Sequence, residues 1–149
     1  MKKVFICLVL VFCLTGCGSK KVMTMSCSKV QSYSDVSFDL SYDIEYKGKY
    51  VLNVSSTEKI TSDDSMYLED YRDQIEKIYS PYADLDYYDY SVSLDGNTLT
   101  SQSNIDYSKV DTGKMILIDD ANSQFIQNGK VLVDTIKSYY EELGIVCNK

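Results

Sequence analysis

The side chains most able to do chemistry in this 149-residue sequence are its five cysteines, because the chain contains no histidine. Without imidazole it lacks the commonest metal ligand and the usual general base of serine and cysteine nucleophiles. A Ser-x-x-Lys spacing runs from Ser56 to Lys59, but an offset of three on a β-strand puts the two side chains on opposite faces. The sequence therefore predicts no catalytic residue and no cofactor, and the chain is not expected to be an enzyme.

A polar segment beginning at Asp120 has oxygen-bearing side chains at alternate positions, as a calcium-binding EF-hand loop does. Phe125 stands where that loop needs glycine for its turn, and Val131 stands where it needs a bidentate glutamate. The segment is therefore expected to be an exposed polar loop, and no metal site is predicted.

Cys17 is the cysteine with the most specific surroundings. Two lysines near the start are followed by an apolar run over residues 4–14, and Leu-Thr-Gly then leads into Cys17. A basic start and an apolar run too short to span a bilayer are typical of an export signal. The segment resembles the lipobox of bacterial lipoproteins. That resemblance implies cleavage before Cys17 and attachment of a diacylglycerol, carrying fatty acyl chains such as palmitate, to its thiol.

This interpretation divides the chain into a signal peptide at residues 1–16, a lipidated tether at residues 17–21 and one domain at residues 22–149. The domain is expected on the extracytoplasmic face of the cell membrane. Loss of the first two lysines changes the formal net charge from −7 to −9, so nucleic acid is not an expected partner. The tether spans under about 20 Å, and its Lys20 and Lys21 are attracted to anionic lipid.

Cys27 and Cys147 are the two cysteines that remain in the domain. An even pair in an exported protein is typical of a disulfide. In the chain-entropy model, closing a loop of this length stabilises a domain by about 4 to 5 kcal/mol. The alternative, two buried free thiols, stays open at this point.

Hydrophobic periodicity predicts an antiparallel sheet interrupted by helices. Apolar and polar side chains alternate over residues 36–46, and a Lys-Gly-Lys turn leads into a second strand at Tyr50. The period lengthens to three or four from Asp63 to a Ser-Pro end, and again over residues 134–143. The predicted fold class is therefore α+β, an antiparallel β-sheet of about five to six strands with two helices packed on one face.

A second hairpin is predicted over residues 88–105, with its turn at Gly96. Ser101 and Ser103 fall at inward positions of its return strand, which predicts an edge strand or a weakly packed one. The apolar run at residues 115–118 is predicted to be a further strand or a loop that fills the core.

The chain has fourteen tyrosines and no tryptophan. Most of the tyrosines fall on faces that periodicity assigns to the core. Tyr33 lies in a predicted turn, and Tyr87 lies on the face opposite to Tyr88, so these two are the candidates for exposed aromatic contact with a ligand. A purely structural role for both rings is the alternative.

Together with the lipobox, five segments carry a resemblance to a known family: residues 42–48, 58–62, 95–100, 105–107 and 139–144. On these residues the chain resembles the small YehR-like bacterial lipoproteins over nearly all of the mature chain. The resemblance implies a single α+β domain on a lipid anchor. It brings no established activity and no functional residues.

The function that the sequence predicts is non-enzymatic binding at the cell envelope by a monomeric, lipid-anchored domain, with a protein or a small molecule as its ligand. One alternative is a hydrolase of envelope polymers, which requires two carboxylates converging in a cleft. Another is a purely structural surface protein, which needs no ligand.

Overall fold

The structure, a computed structural model, describes residues 21–148. The predicted signal peptide and the predicted lipidation site Cys17 lie outside the described residues. Within residues 21–148, no helix is long and apolar enough to cross a membrane.

Residues 21–148 form eight β-strands and three α-helices. The strands are β1 (Val22–Ser32), β2 (Val36–Lys47), β3 (Tyr50–Ser62), β4 (Tyr88–Asp95), β5 (Thr98–Asp106), β6 (Ile126–Gln127), β7 (Lys130–Val131) and β8 (Val146–Asn148). The helices are α1 (Ser65–Tyr79), α2 (Thr112–Ile118) and α3 (Val133–Glu142), with short 3-10 turns at Ser80–Tyr82 and Asp120–Gln124.

Six of these strands form one antiparallel sheet in the order β4-β5-β3-β2-β1-β8, and β6 pairs with β7 in a small second sheet. The predicted α+β class and the predicted six-strand size are confirmed. The helix count differs, since three helices are present in the described part of the chain rather than two.

Strand β2 shows why the helices cover one face. Tyr42, Ile44 and Tyr46 are buried, whereas the residues between them are exposed. Successive side chains of a strand point to opposite faces, so a period-two pattern gives the sheet an apolar inner face and a polar outer face. The amphipathic helices bury their own apolar stripes against the inner face.

Three groups of buried side chains fill the space between the sheet and the helices. The first joins α3 to β1, β2 and β3 through residues such as Ile136 and Ile44. The second joins α1 to β3 and β5 through Leu68 and Leu99, and the third places Met115 of α2 among residues of β4 and β5.

The apolar run at residues 115–118 forms most of α2, so its prediction as a strand is wrong. The helix begins after Asp111, whose carboxylate accepts a hydrogen bond from the backbone N–H of Lys114 at 3.1 Å. Met115 is the residue of this run that enters the core, whereas Leu117 is exposed. A short helix of seven residues therefore fills the core here, in the space where a strand or a loop was expected.

The prediction that residues 99–105 form an edge strand is also wrong. Strand β5 lies between β4 and β3, because β4 of the same hairpin continues the sheet and takes the edge. Ser101 is buried in this interior strand. The inward serines therefore do not mark an edge, and they need another explanation.

The predicted disulfide is present. Cys27 and Cys147 lie directly opposite each other on β1 and β8, and their Sγ atoms are bonded. The alternative of two free thiols is therefore excluded in this structure. Strand β8 pairs with β1 through three residues, and the disulfide ties this short strand to the sheet.

Candidate functional site

The inner face of the sheet is apolar along most of its length and polar at its centre. There, Glu58 of β3 lies opposite Ser101 of β5, and Ser56 lies opposite Ser103. Alternation places all four side chains on the face that the helices cover. The Glu58 cluster is defined here as these four residues and three tyrosines that surround them: Ser56, Glu58, Ser101, Ser103, Tyr42, Tyr79 and Tyr140.

Glu58 is a half-buried carboxylate with one hydrogen-bond partner among residues 21–148. The Tyr42 hydroxyl donates to Glu58 Oε1 at 2.7 Å. The three ion pairs in the described part of the chain all involve other residues, so no lysine or arginine there neutralises Glu58. A carboxylate withdrawn from water without a cationic partner is costly, and it attracts positive charge.

Two helices supply the aromatic walls of the cluster. Tyr140 of α3 stacks on Tyr42, with ring centroids 4.5 Å apart. Tyr79, the last residue of α1, stacks on Tyr90 of β4 at 5.5 Å. The carboxylate therefore lies between the end of α1 and the last turns of α3.

Burial raises the pKa of the hydroxyl of Tyr42, and the adjacent Glu58 carboxylate raises it further. Burial is also the largest cause of the raised pKa of Tyr79 and of Tyr140, and Glu58 contributes to both shifts. These three hydroxyls therefore keep their protons at neutral pH. Each can donate one hydrogen bond while its oxygen accepts another.

Ser101 carries the most informative atom of the cluster. It is 1% exposed, and its Oγ makes no hydrogen bond within the described residues. Ser56 Oγ and Ser103 Oγ share a hydrogen bond of 2.7 Å. Hydrogen bonding with Ser101, Ser103 and Ser56 lowers the pKa of the Tyr79 hydroxyl, although burial raises it overall, and Ser101 Oγ has no hydrogen bond of good geometry within the described residues. A buried hydroxyl without a hydrogen-bond partner costs about 1–3 kcal/mol, so Ser101 is a costly residue at this position.

The chemistry of the cluster favours ligands that bring hydrogen-bond donors and positive charge. Its free groups are a carboxylate oxygen and hydroxyl oxygens, all of which accept hydrogen bonds. A hydrolase with paired carboxylates needs a second acid in the same cleft. The groups beside Glu58 are tyrosines and serines instead, so this arrangement does not supply the pair.

The structure places Tyr33 at the β1–β2 turn, where it is exposed and meets the edge of the Phe38 ring at 6.2 Å. It lines an open cavity of about 650 Å³, together with Asp35, Asp63 and Asp64. Tyr33 is thus exposed as predicted, at the start of β2 and away from the Glu58 cluster.

Tyr87 lies just before β4 and is also exposed, with a positive φ of 67°. Lys109 Nζ lies 5.2 Å from the centroid of the Tyr87 ring. The backbone carbonyl of Tyr87 accepts a hydrogen bond from the backbone N–H of Asp106, at the end of β5. Because β2 begins at the opposite end of the sheet from β4, Tyr33 and Tyr87 do not form one site. Whether either ring binds a ligand stays a prediction.

Neither Glu58 nor Ser101 was predicted from the sequence to form a site. A usable signal was present, because the inward positions of β3 run Val54, Ser56, Glu58, Ile60. Two polar residues in succession on an apolar face interrupt the alternation that otherwise predicts a core strand. The same interruption occurs in β5, and the antiparallel register brings the two together.

Tyr42→Phe is expected to lower the free energy of unfolding by about 1.5 kcal/mol, because it removes the hydrogen bond donated to the Glu58 carboxylate. Urea unfolding followed by circular dichroism measures the change. Tyr46→Phe is the matched control. Tyr46 is buried four residues further along β2, on the same face of the strand, and its hydroxyl makes no hydrogen bond within residues 21–148. Equal losses in the two variants would contradict the assignment.

Neither a family model nor a curated protein matches this chain. Two solved structures are similar to it. One is the NMR structure of YehR from Escherichia coli, with a TM-score of 0.59 and 20% sequence identity, covering 83% of this chain and 90% of that one. The other is the NMR structure of a protein from Streptococcus pneumoniae TIGR4, with a TM-score of 0.52 and 16% identity, covering 99% of this chain and 96% of that one.

At these identities the likeness concerns the fold alone. It extends over most of both chains, so the overall fold is shared. The fold expected from the resemblance to YehR-like proteins is therefore confirmed: residues 21–148 adopt the same fold as YehR.

Proposed function

We propose that this protein is a YehR-like lipoprotein, anchored through Cys17 at the extracytoplasmic face of the cell membrane, which binds a small ligand at the Glu58 cluster. It works as a monomer and catalyses no reaction. The ligand carries N–H donors and positive charge, as a primary ammonium group does.

The proposed location is supported by two separate features. The lipobox-like segment before Cys17 is one of them. The other is the disulfide between Cys27 and Cys147, because such bonds form and persist in oxidising compartments outside the cytoplasm.

The proposed binding is supported above all by the unpartnered hydroxyl of Ser101. An alanine at this position would avoid the cost of burying a hydroxyl that has no hydrogen bond of good geometry. The neighbouring Glu58 carboxylate has a free oxygen and no cationic partner among the described residues. One ammonium group has enough N–H donors to satisfy both side chains at once.

The test is a thermal-shift titration of the full chain in detergent with amines and their N-acetylated counterparts. Lysine, spermidine and glucosamine are suitable probes. A ligand at 100 times its dissociation constant adds about 2.7 kcal/mol of stability, which raises the melting temperature measurably. We expect at least one amine to stabilise the protein and its N-acetylated form to have no effect.

Two variants and a control assign the effect to the cluster. Glu58→Gln keeps the shape of the side chain and removes its charge, so the amine response is expected to disappear. Ser101→Ala is expected to weaken the response while keeping or raising the stability of the free protein. Glu45→Gln, an exposed carboxylate on the outer face of β2, is the matched control and leaves the response unchanged.

No response to any amine, or a response that survives Glu58→Gln, would contradict binding at this cluster. Equal responses to an amine and to its N-acetylated form would show that charge is not recognised. Absence of any ligand would favour the purely structural surface protein.

A further inference from the structure

Lysine side chains collect at the end of the sheet where β1 begins. Val22, the first residue of β1, pairs with Lys47 at the end of β2, and the turn that follows carries Lys49. An isolated bridge between Tyr50 and Leu132 brings Lys130 to the same end. The lysine cluster is defined here as Lys47, Lys49 and Lys130.

The lysine cluster surrounds an aromatic ring and a cavity. Lys130 Nζ lies 4.6 Å from the centroid of the Tyr50 ring, and Lys49 Nζ lies 5.3 Å from it. Lys47, Tyr50, Ser108 and Lys130 line a cavity of about 290 Å³. The ion pairs in the described part of the chain leave all three lysines without a carboxylate partner. Their charge is therefore available to an anion from outside.

A cavity at the opposite end of the sheet is acidic. The cavity of about 650 Å³ there is lined by Asp35, Asp63 and Asp64 and by no basic residue. A chain with a net charge of −7 thus carries a local positive patch at one end of its strands. Such a separation of charge gives the molecule a preferred orientation next to a charged surface.

We propose that the lysine cluster docks on anionic phospholipid headgroups of the membrane that holds the chain. The proposal rests on the proposed anchor at Cys17. Val22 lies five positions after Cys17, so the segment between them reaches under about 20 Å. Because Val22 lies beside Lys47, the tether delivers this end of the sheet to the bilayer surface.

Docking sets the distance of the Glu58 cluster from the bilayer surface and its orientation relative to that surface. Glu58 lies eight residues beyond Tyr50 along β3, which is about 25 Å at the rise of a β-strand. The lysine cluster then faces the headgroups, the acidic end faces away from them, and the Glu58 cluster stands between the two. Each lysine close to an anionic surface strengthens the contact by about fivefold.

The absence of tryptophan from the sequence allows a single reporter at either end of the sheet. Tyr50→Trp places it in the lysine cluster, and Tyr33→Trp places it at the acidic end. The full chain, purified from membranes and reconstituted through its own anchor, is placed in vesicles with spin-labelled headgroups. We expect Trp fluorescence at position 50 to be quenched when phosphatidylglycerol is present, and less so in phosphatidylcholine alone or at high salt. Fluorescence at position 33 is expected to stay unquenched in both.

A charge reversal identifies the side chain responsible. Lys130→Glu is expected to lower the docking equilibrium at least about fivefold. Lys59→Glu is the matched control, because it changes the net charge equally at an exposed position of β3 nine residues beyond Tyr50. Equal quenching in the two lipids, or an equal loss in both variants, would overturn the proposal.

Inorganic phosphate distinguishes a lipid headgroup from a free anion. If phosphate alone shifts the emission at position 50 and abolishes quenching at the same ionic strength, the cavity is a free-phosphate site and the docking proposal fails. Flotation with phosphatidylcholine vesicles tests the anchor separately. A chain that does not float lacks the anchor, and one that floats without quenching at position 50 lacks the docking.

Discussion

The double variant Cys27→Ala/Cys147→Ala is expected to have a free energy of unfolding about 4 kcal/mol lower than the wild type. The disulfide closes a loop with a sequence separation of 120 residues, so it restricts nearly the whole unfolded domain. A domain of this size has a total stability of about 5–15 kcal/mol, and the loss is a large share of it. Urea unfolding of the oxidised wild type and of the variant measures the difference.

A reducing agent provides the control. It is expected to lower the stability of the wild type to about that of the double variant and to leave the variant unchanged. Hydrogen exchange is expected to accelerate first in β8, which pairs with β1 through three residues. A loss under about 1 kcal/mol would show that the native fold holds β8 without the covalent bond.

The parts of the fold that the sequence predicted correctly are those governed by local physics. Alternation over β2 is nearly unbroken, and its period-two pattern leaves one choice of buried face. Helix α1 ends at Tyr79, directly before the Ser80-Pro81 pair that was predicted to stop it. The cysteine pairing followed from the number of cysteines in the predicted domain at residues 22–149.

The errors arose where the outcome depends on distant parts of the chain. Helix α2 is seven residues long, and an apolar run that short fits a strand as well as a helical turn. The two inward serines of β5 indicated an edge strand or a weakly packed one, because no other residue of their own strand offered them a polar partner in the core. Their neighbours come from β3 and from the end of α1, which are far away in sequence.

The candidate site was missed for the same reason. Tyr42 and Tyr79 were assigned to the core by periodicity, and both do lie on inward faces. Their hydroxyls meet Glu58 and the serines only after the sheet register and both helices are in place. Exposure could be predicted for Tyr33 and Tyr87, but the sequence could not show that they lie at opposite ends of the sheet.

Leu68→Ala is expected to lower the free energy of unfolding by about 3 kcal/mol. Leu68 is 0% exposed and packs with Ile60, Ile75 and Leu99 between α1 and the sheet. Alanine is at least as good a helix former as leucine, so the loss comes from the lost packing and the cavity left behind. Urea unfolding at constant pH measures it.

Met66→Ala is the matched control, because Met66 lies in the same helix and is 72% exposed. Its change is expected to stay within about 0.5 kcal/mol. A comparable loss in both variants would mean that α1 contributes through helix formation rather than through packing. Because α1 also carries Tyr79 into the Glu58 cluster, a loosely held helix exposes the carboxylate to water and weakens its attraction for a cation. Leu68→Ala is therefore expected to reduce the response to amines even under conditions in which the variant remains fully folded, whereas Met66→Ala keeps it.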